Sequence, residues 1–380
     1  MIQNIDFSDE YKEKEKFFIE FAKKEIKPLA KAIDAEQKIP DELIKKMVDA
    51  GVWCGEIPKK YGGADMDMVT YGLLSEQVGK ACANMRNIMG VQGMVSTAVL
   101  KWGNEKQRKE LLPKMASGKV LGAFALTEPN IGSDVKSIET SAVKEGDYYI
   151  LNGKKKWITF AQRADIFLLF AKVDDKITAF LVDRNTEGLT VEPIKDLLGF
   201  RGSMLGEINL NNCKVSKENV VCKEGLGLAY VAHQSLAFGR FSTAWGSVGL
   251  AQACFEECLE YAAERSQFNN FLKNHELIQK KIANMVVNIM NARFMCHNLS
   301  CLMEKGDSRY LLNTAIAKYA ASTMASKIAT DAVQICGANG CSNNFNVERY
   351  FRDSKIMEIV EGSTQILETL IAKEAYKMNK

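Results

Sequence analysis

From Ser8 to about residue 120 the apolar positions recur at helical spacing. Tyr11, Phe17, Phe18, Phe21, Ala22, Ile26 and Leu29 form one stripe against a face of lysine and glutamate, and Ser8 is placed to cap it. Pro40-Asp41-Glu42 opens a second helix that Gly51 ends, and further helices are expected over 68–80 and 87–102. A shorter one runs from 105 towards 115, with Pro113 expected to interrupt it. The period changes near residue 120. Runs at 121–126, 148–151, 156–159, 166–172 and 177–182 are β-like, with further candidates at 189–194 and 207–210. Turn signals such as Glu145-Gly146-Asp147, Asn152-Gly153 and Asp174-Asp175 separate them. Short strands without helices between them argue for an antiparallel barrel or sandwich. From about 227 the helical period returns, over 241–265, 275–305 and 310–336, with a last helix after Ser363. That group suits a helical bundle.

The order is helices, then a β domain, then helices, with breaks placed at 120/121 and 225/226. A length of 380 residues allows two or three such units around large cores. The net charge of +3 is small, and lysine and glutamate are interspersed, so no electrostatic footprint for nucleic acid is present. No basic-then-apolar leader and no run of about 18 apolar residues occurs, which argues against secretion and against a membrane span. The ten cysteines include no Cys-x-x-Cys, and with only three histidines a metal site is not expected. Scattered thiols fit a reducing cytoplasm.

One segment stands out chemically. In 356–367 a carboxylate, Glu361, sits between an apolar run and Gly362-Ser363-Thr364-Gln365. An apolar surround raises a carboxyl pKa towards neutrality, where it serves as a base. Gly362 would let a flat ligand approach the backbone, and Ser363, Thr364 and Gln365 supply donors and acceptors. The plainer alternative is a helix start, with Ser363 or Thr364 as cap.

Other segments change that balance. Phe124-Ala125-Leu126-Thr127-Glu128-Pro129-Asn130-Ile131-Gly132-Ser133-Asp134 runs from strand into polar turn, and Asn152-Gly153-Lys154-Lys155-Lys156-Trp157-Ile158-Thr159 couples a hairpin signal to an aromatic strand. With Arg265-Ser266-Gln267-Phe268, the stretch 331–340, Arg352-Asp353 and Glu361-Gly362-Ser363-Thr364-Gln365-Ile366, the chain resembles the acyl-CoA dehydrogenase family. The resemblance implies an α+β fold with an N-terminal helical domain, a middle antiparallel β-barrel domain and a C-terminal four-helix-bundle domain. It implies bound FAD and oxidation of the Cα–Cβ bond of an acyl thioester, with Glu361 taking the α-proton and the flavin the β-hydride. Carried over by position, Phe124, Leu126, Thr127, Ser133, Trp157, Ile158 and Thr159 match residues around the flavin. Arg265, Phe268, His275, Gln334 and Gly337 match residues of the cofactor site, of which Arg265, Phe268, Gln334 and Gly337 serve a neighbouring subunit's FAD. Ser363, Thr364 and Gln365 match the loop near the pyrophosphate. Ser133, Arg240 and Gly362 match positions that meet substrate. A homodimer or homotetramer and an electron acceptor such as an electron-transfer flavoprotein follow from the same resemblance.

Some relatives carry the base instead just before an arginine, where this chain has Gly239 before Arg240. Ala237, Glu276, Lys373 and the short 172–177 connection depart from the CoA-binding pattern. They point to the branch acting on acyl or aminoacyl carrier proteins. An oxidase using oxygen, or a catalytically silent binding protein of the same fold, are the competing readings.

Overall fold

The computed structural model describes residues 5–378. Helix α1 (Asp9–Phe21) starts at Ser8, whose hydroxyl accepts the Tyr11 N–H. One π turn and a turn around Pro28 lead into α2 (Ala30–Glu36). Then come α3 (Asp41–Asp49), α4 (Met68–Ala81), α5 (Ala83–Trp102) and α6 (Glu105–Ala116). Helix α5 is buried along nearly its whole length. Pro113 does not interrupt α6. It lies within the last turn, the helix continues to Ala116, and its carbonyl accepts the Ser117 N–H at 3.1 Å.

Strands β1 (Gly122–Ala125), β2 (Ser141–Glu145), β3 (Tyr148–Ile158), β4 (Ile166–Val173), β5 (Lys176–Asp183), β6 (Leu189–Pro193), β7 (Gly206–Ser216) and β8 (Val220–Val221) make one sheet. Its order is 6-7-3-2-4-5-8, with β1 beside β4. Pairing is antiparallel except that β1 and β2 each run parallel to β4. Leu151, Phe167, Leu169, Phe180, Val182 and Ile208 fill the core on one face. Asn152-Gly153 is not a hairpin turn. It lies inside β3, at a register shift against β7. Gly153 adopts φ +147°, and a Cβ there would sit 2.7 Å from the Thr140 Cα, so the pair marks a bulge and a close approach. The turn that does reverse the chain holds Gly146, at φ +60°.

A π turn precedes α7 (His233–Glu264), which begins earlier than the 241 expected from periodicity. The short β9 (Ser266–Gln267) and β10 (Asn270–Phe271) form a hairpin before α8 (Glu276–Glu304) and α9 (Tyr310–Cys336). The helix α10 (Val347–Ile359) was not expected. Its run of charged residues hides the apolar stripe, because Arg349 and Asp353 are themselves buried and Arg352 pairs with Asp34 of α2 at 2.6 Å. Helix α11 (Thr364–Met378) closes the described chain. Helix α7 packs against α4, α5, α8, α9 and α10, so it is the central strut of the helical part. Among the described residues no helix is long and apolar enough to cross a membrane, and no group of His, Cys, Asp and Glu is arranged to hold a metal.

Candidate active site

Glu361 occupies the turn between α10 and α11, with φ +58°, followed by Gly362 at φ +100°. A left-handed glutamate costs roughly 1–2 kcal/mol and needs neighbours that hold it. Three helices provide them. From α7, Arg240 Nε donates to the Glu361 carbonyl at 3.0 Å. From α9, the fully buried Lys318 Nζ donates to the carbonyls of Glu358 at 3.1 Å and Gly362 at 2.8 Å. Thr364 Oγ1, at the start of α11, reaches the Glu358 carbonyl at 3.4 Å. The end of α10 is thereby capped by a cation, which its dipole favours.

The turn delivers the Glu361 carboxyl to α7. A Cβ added at Gly239 would lie 2.6 Å from both Cδ and Oε2 of Glu361. Although the residue as a whole is only half-buried, Oε2 is buried and makes no hydrogen bond. Burial pushes the carboxyl up from 4.5 to about 7, against the opposing charges of Arg240, Arg86 and Lys318. Burial likewise lowers the Lys318 ammonium to about 8, against the pull of Glu361. The result is a carboxylate close to neutral pKa with a lone pair committed to nothing, which is what proton abstraction requires. Gly239, the alternative base position, occupies the same spot, so only one side chain fits. Gly239→Ala is expected to push the carboxyl aside and lower kcat by roughly a hundredfold. The far-ultraviolet spectrum should stay unchanged, and an unaltered kcat would contradict the contact.

Two β segments of the middle domain, which carry other sequence-predicted site residues, lie side by side. Thr127 accepts the Lys156 N–H at 2.9 Å, and Leu126 accepts from Lys155 Nζ at 3.1 Å, so 126–127 runs along 155–159. Phe124 meets Phe170 edge to face at 5.2 Å. Trp157 is 49% exposed with φ +61°, so a large ring faces solvent on a strained backbone. Ile158 points the other way, into the sheet core, and offers only backbone to that face. The Thr159 hydroxyl accepts from Asn87 Nδ2 of α5 at 3.4 Å, which ties the sheet to the helix carrying Arg86. The loop with Thr127 and the exposed Ser133 is pinned by a buried ion pair, Glu128–Lys155 at 2.8 Å. Glu128 also accepts the N–H groups of Glu139 and Thr140.

Ser363 accepts the Leu367 N–H at 3.1 Å and Gln365 is exposed in the first turn of α11. The helix start expected of this segment is therefore present, directly after Glu361 and Gly362. Arg265, Phe268, His275, Gln334 and Gly337 are not at this site. Arg265 ends α7, about 39 Å along the axis from Gly239 at ~1.5 Å per residue. Phe268 is 93% exposed at the hairpin tip, with His275 Nε2 3.2 Å from the Gln267 carbonyl. Gln334 and Gly337 are exposed at the end of α9. Asn339 there donates to the Tyr261 hydroxyl at 3.0 Å, next to that end of α7. They form a second exposed group at the opposite end of the bundle.

Sequence reasoning missed Lys318, Arg86, Asn87 and the Glu128–Lys155 pair. Lys318 had a signal, a lone lysine on the buried alanine stripe of α9. Arg86 had a similar one on α5.

Family models match along nearly the whole chain. They are the acyl-CoA dehydrogenase N-terminal domain over residues 8–119, the middle domain over 123–213 and the C-terminal domain over 225–376. An acyl-CoA dehydrogenase of Bacillus subtilis is 38% identical, covering 93% of this chain and 94% of the relative. The structure of butyryl-CoA dehydrogenase from Megasphaera elsdenii superposes with TM-score 0.93 at 31% identity, covering 98% of this chain and all of the other. A prolyl acyl carrier protein oxidase also gives 0.93, at 28% identity over 97% of this chain and 99% of the other. With these matches along nearly the whole chain, and with the Glu361 turn seated on the central helix, the chain belongs to the acyl-CoA dehydrogenase family, an oxidoreductase acting on CH–CH groups.

Proposed function

We propose that the protein is an FAD-dependent dehydrogenase of acyl thioesters in which Glu361 is the base. The observation that carries this reading is the Glu361 carboxyl resting on Gly239, with Oε2 buried and unpartnered and a pKa of about 7. Glu361 accepts the proton from the carbon next to the thioester carbonyl. The charge that then develops on the carbonyl oxygen needs N–H donors, and the Glu361 backbone N–H lies in the same turn. Arg240 and Lys318 fix that turn, so base and donor keep one spacing through the reaction.

The residues fit a flavin. The exposed Trp157 ring and the hydroxyls of Thr127 and Thr159 lie on one stretch beside Phe124 and Leu126. These, with the Ile158 backbone, Ser133, Ser363, Thr364 and Gln365, would hold FAD. When bound, FAD supplies the two-electron acceptor for the hydrogen leaving Cβ. The distant group Arg265, Phe268, His275, Gln334 and Gly337 is too far away to reach the same cofactor. Its exposure supports a role towards FAD in a neighbouring subunit of a homodimer or homotetramer.

The thioester is carried by CoA or by a carrier protein, and by their match to the family's substrate positions Ser133, Arg240 and Gly362 would meet it. An electron-transfer flavoprotein is the expected acceptor. Ten free thiols suit a cytoplasmic setting. The likeness to a carrier-protein oxidase supports oxygen as the alternative acceptor. The test is anaerobic flavin bleaching with a panel of acyl-CoAs and acylated carrier proteins. Bleaching by at least one thioester is expected. A flavin-loaded protein that no thioester reduces, across both carrier types, overturns the reading.

A further inference from the structure

Arg352 and Asp353 of α10 belong neither to the proposed proton transfer nor to the residues that would hold FAD. Both reach out of their helix to one loop of the β domain. That loop, residues 194–205, joins the edge strand β6 to β7 and is closed at its base by the Ile194 N–H, which donates to the Leu205 carbonyl at 2.9 Å. Beyond that base it leaves the sheet and enters the helical part. Asp353 is buried, and its Oδ1 accepts the Phe200 N–H at 2.7 Å. Arg352 Nη1 donates to the Leu198 carbonyl at 3.2 Å, while its Nη2 holds Asp34 of α2 at 2.6 Å. Gly199 lies between these contacts, and a Cβ there would sit 2.4 Å from the Arg352 carbonyl. Loop and helix therefore touch backbone to backbone.

The other end of the same loop holds the segment that carries Trp157 and Thr159. The Ser203 carbonyl accepts the Phe160 N–H at 2.9 Å, and the Met204 carbonyl accepts the Gln162 N–H at 3.3 Å. Gln162 Nε2 donates to the Leu205 carbonyl at 2.6 Å. From α5, Asn87 Nδ2 reaches the hydroxyls of Ser203 at 3.2 Å and Thr159 at 3.4 Å. From α2, Ile33 would meet a Cβ at Gly202 at 2.3 Å. Just past the end of α2, Gln37 exchanges two hydrogen bonds with Asp196, at 3.1 and 2.9 Å. Phe200 and Met204 are left-handed, at φ +53° and +50°, which large residues adopt only where neighbours hold them. A single helical turn, Arg201–Ser203, thus separates the loop's hold on α10 from its hold on the segment after β3.

We propose that loop 194–205 sets the gap between the Glu361 turn and the flavin-facing residues Trp157 and Thr159, with Asp353 as the positioning residue that anchors it. This rests on the reading of Glu361 as base and of Trp157 and Thr159 as neighbours of FAD. Asp353 lies about 9 Å before the end of α10, and the Glu361 turn follows that end directly. Removal of the α-proton needs only the thioester and Glu361, whose turn Arg240 and Lys318 hold independently of the loop. Passage of the Cβ hydrogen to the flavin also needs the gap, and a misplacement of about 1 Å costs such a step roughly a hundredfold. The competing role for Asp353 is plain stabilisation of α10, which would lower both steps in proportion to the folded fraction.

Asp353→Leu, Asp353→Asn and Gln37→Gly separate the two. Leucine fills the seat but cannot accept the Phe200 N–H. Asparagine can, and burial already pushes the Asp353 carboxyl up to about 6, so an uncharged group suits the seat. Glycine at 37 removes the Asp196 tether and accepts the left-handed backbone at φ +55°. Exchange of the α-hydrogen with solvent deuterium and anaerobic flavin reduction are measured with the acyl-CoA or acylated carrier protein that bleaches wild type fastest. FAD affinity is measured by fluorescence titration of the apoproteins. In Asp353→Leu, reduction should fall by roughly a hundredfold, while exchange and FAD affinity stay within about threefold of wild type. Asp353→Asn should restore reduction to within about threefold, because the acceptor is back. Gln37→Gly should slow reduction alone, by about fivefold, and it decides where Asp353→Leu does not fold. Equal losses of exchange and reduction, unchanged reduction in Asp353→Leu and Gln37→Gly, or an Asp353→Asn as slow as Asp353→Leu overturns the proposal. Failure of the base reading shows separately, as flavin reduction by Glu361→Gln at the wild-type rate.

Discussion

Glutamine at position 361 is expected to leave a folded, flavin-binding protein whose flavin an acyl thioester reduces roughly 10⁴-fold more slowly. The amide keeps the shape of the carboxyl and its seat on Gly239 but accepts no proton. The same substitution should raise stability, and the sign follows from the pKa. The folded state holds the Glu361 proton up to about pH 7, against 4.5 for an unburied carboxyl. Folding stability from this group is therefore present at low pH and is lost as pH rises from 4.5 through 7. Above that the ionised carboxyl costs up to roughly 3 kcal/mol. Urea unfolding at pH 8 should show Glu361→Gln to be the more stable protein, and at pH 4 the difference should vanish. Equal stability at both pH values would mean that the carboxyl is not in the low-dielectric seat described.

Lys318→Met carries the second large effect. Lys318 is fully buried, and its ammonium satisfies two carbonyls, those of Glu358 and Gly362. Methionine fills the space but strands the Gly362 carbonyl and leaves that of Glu358 with only the long bond from Thr364 Oγ1, so a loss of at least about 1–3 kcal/mol is expected. The turn it anchors also carries Glu361, the proposed base, so kcat should fall by about a hundredfold in whatever fraction remains folded. Thermal unfolding and anaerobic reduction measured on one preparation check both. A variant as stable as wild type would show that Arg240 and Thr364 hold the turn unaided.

Much of this architecture was legible because each half of the pattern has its own period. The long helices α8 and α9 are visible from apolar spacing alone, and so are the strands at 166–173 and 176–183. Local signals failed where tertiary partners decide. Asn152-Gly153 carries the chemistry of a hairpin, but the strand continues because β7 pairs both sides of it and Thr140 packs against the glycine. Helix α10 was hidden by charges whose partners, such as Asp34, lie hundreds of residues away in sequence. Glu361 was singled out as a candidate base from an apolar run meeting Gly362-Ser363. Its supports were not, since Lys318 reaches Gly362 across 44 residues and Arg86 reaches Thr243 across 157. Position 239 was identified as the vacant alternative site for a base. What sequence lacked was the geometry, in which Gly239 and the Glu361 carboxyl meet at one point.

The most direct measurement of the central claim is the exchange of the substrate α-hydrogen with solvent deuterium, followed by NMR across a pH series. Only proton transfer is read, without the electron acceptor. The exchange rate should rise with pH and level off with a midpoint near 7, the pKa that burial confers on Glu361. A rate indifferent to pH between about 5 and 9, or undiminished in Glu361→Gln, would contradict the assignment of Glu361 as the base.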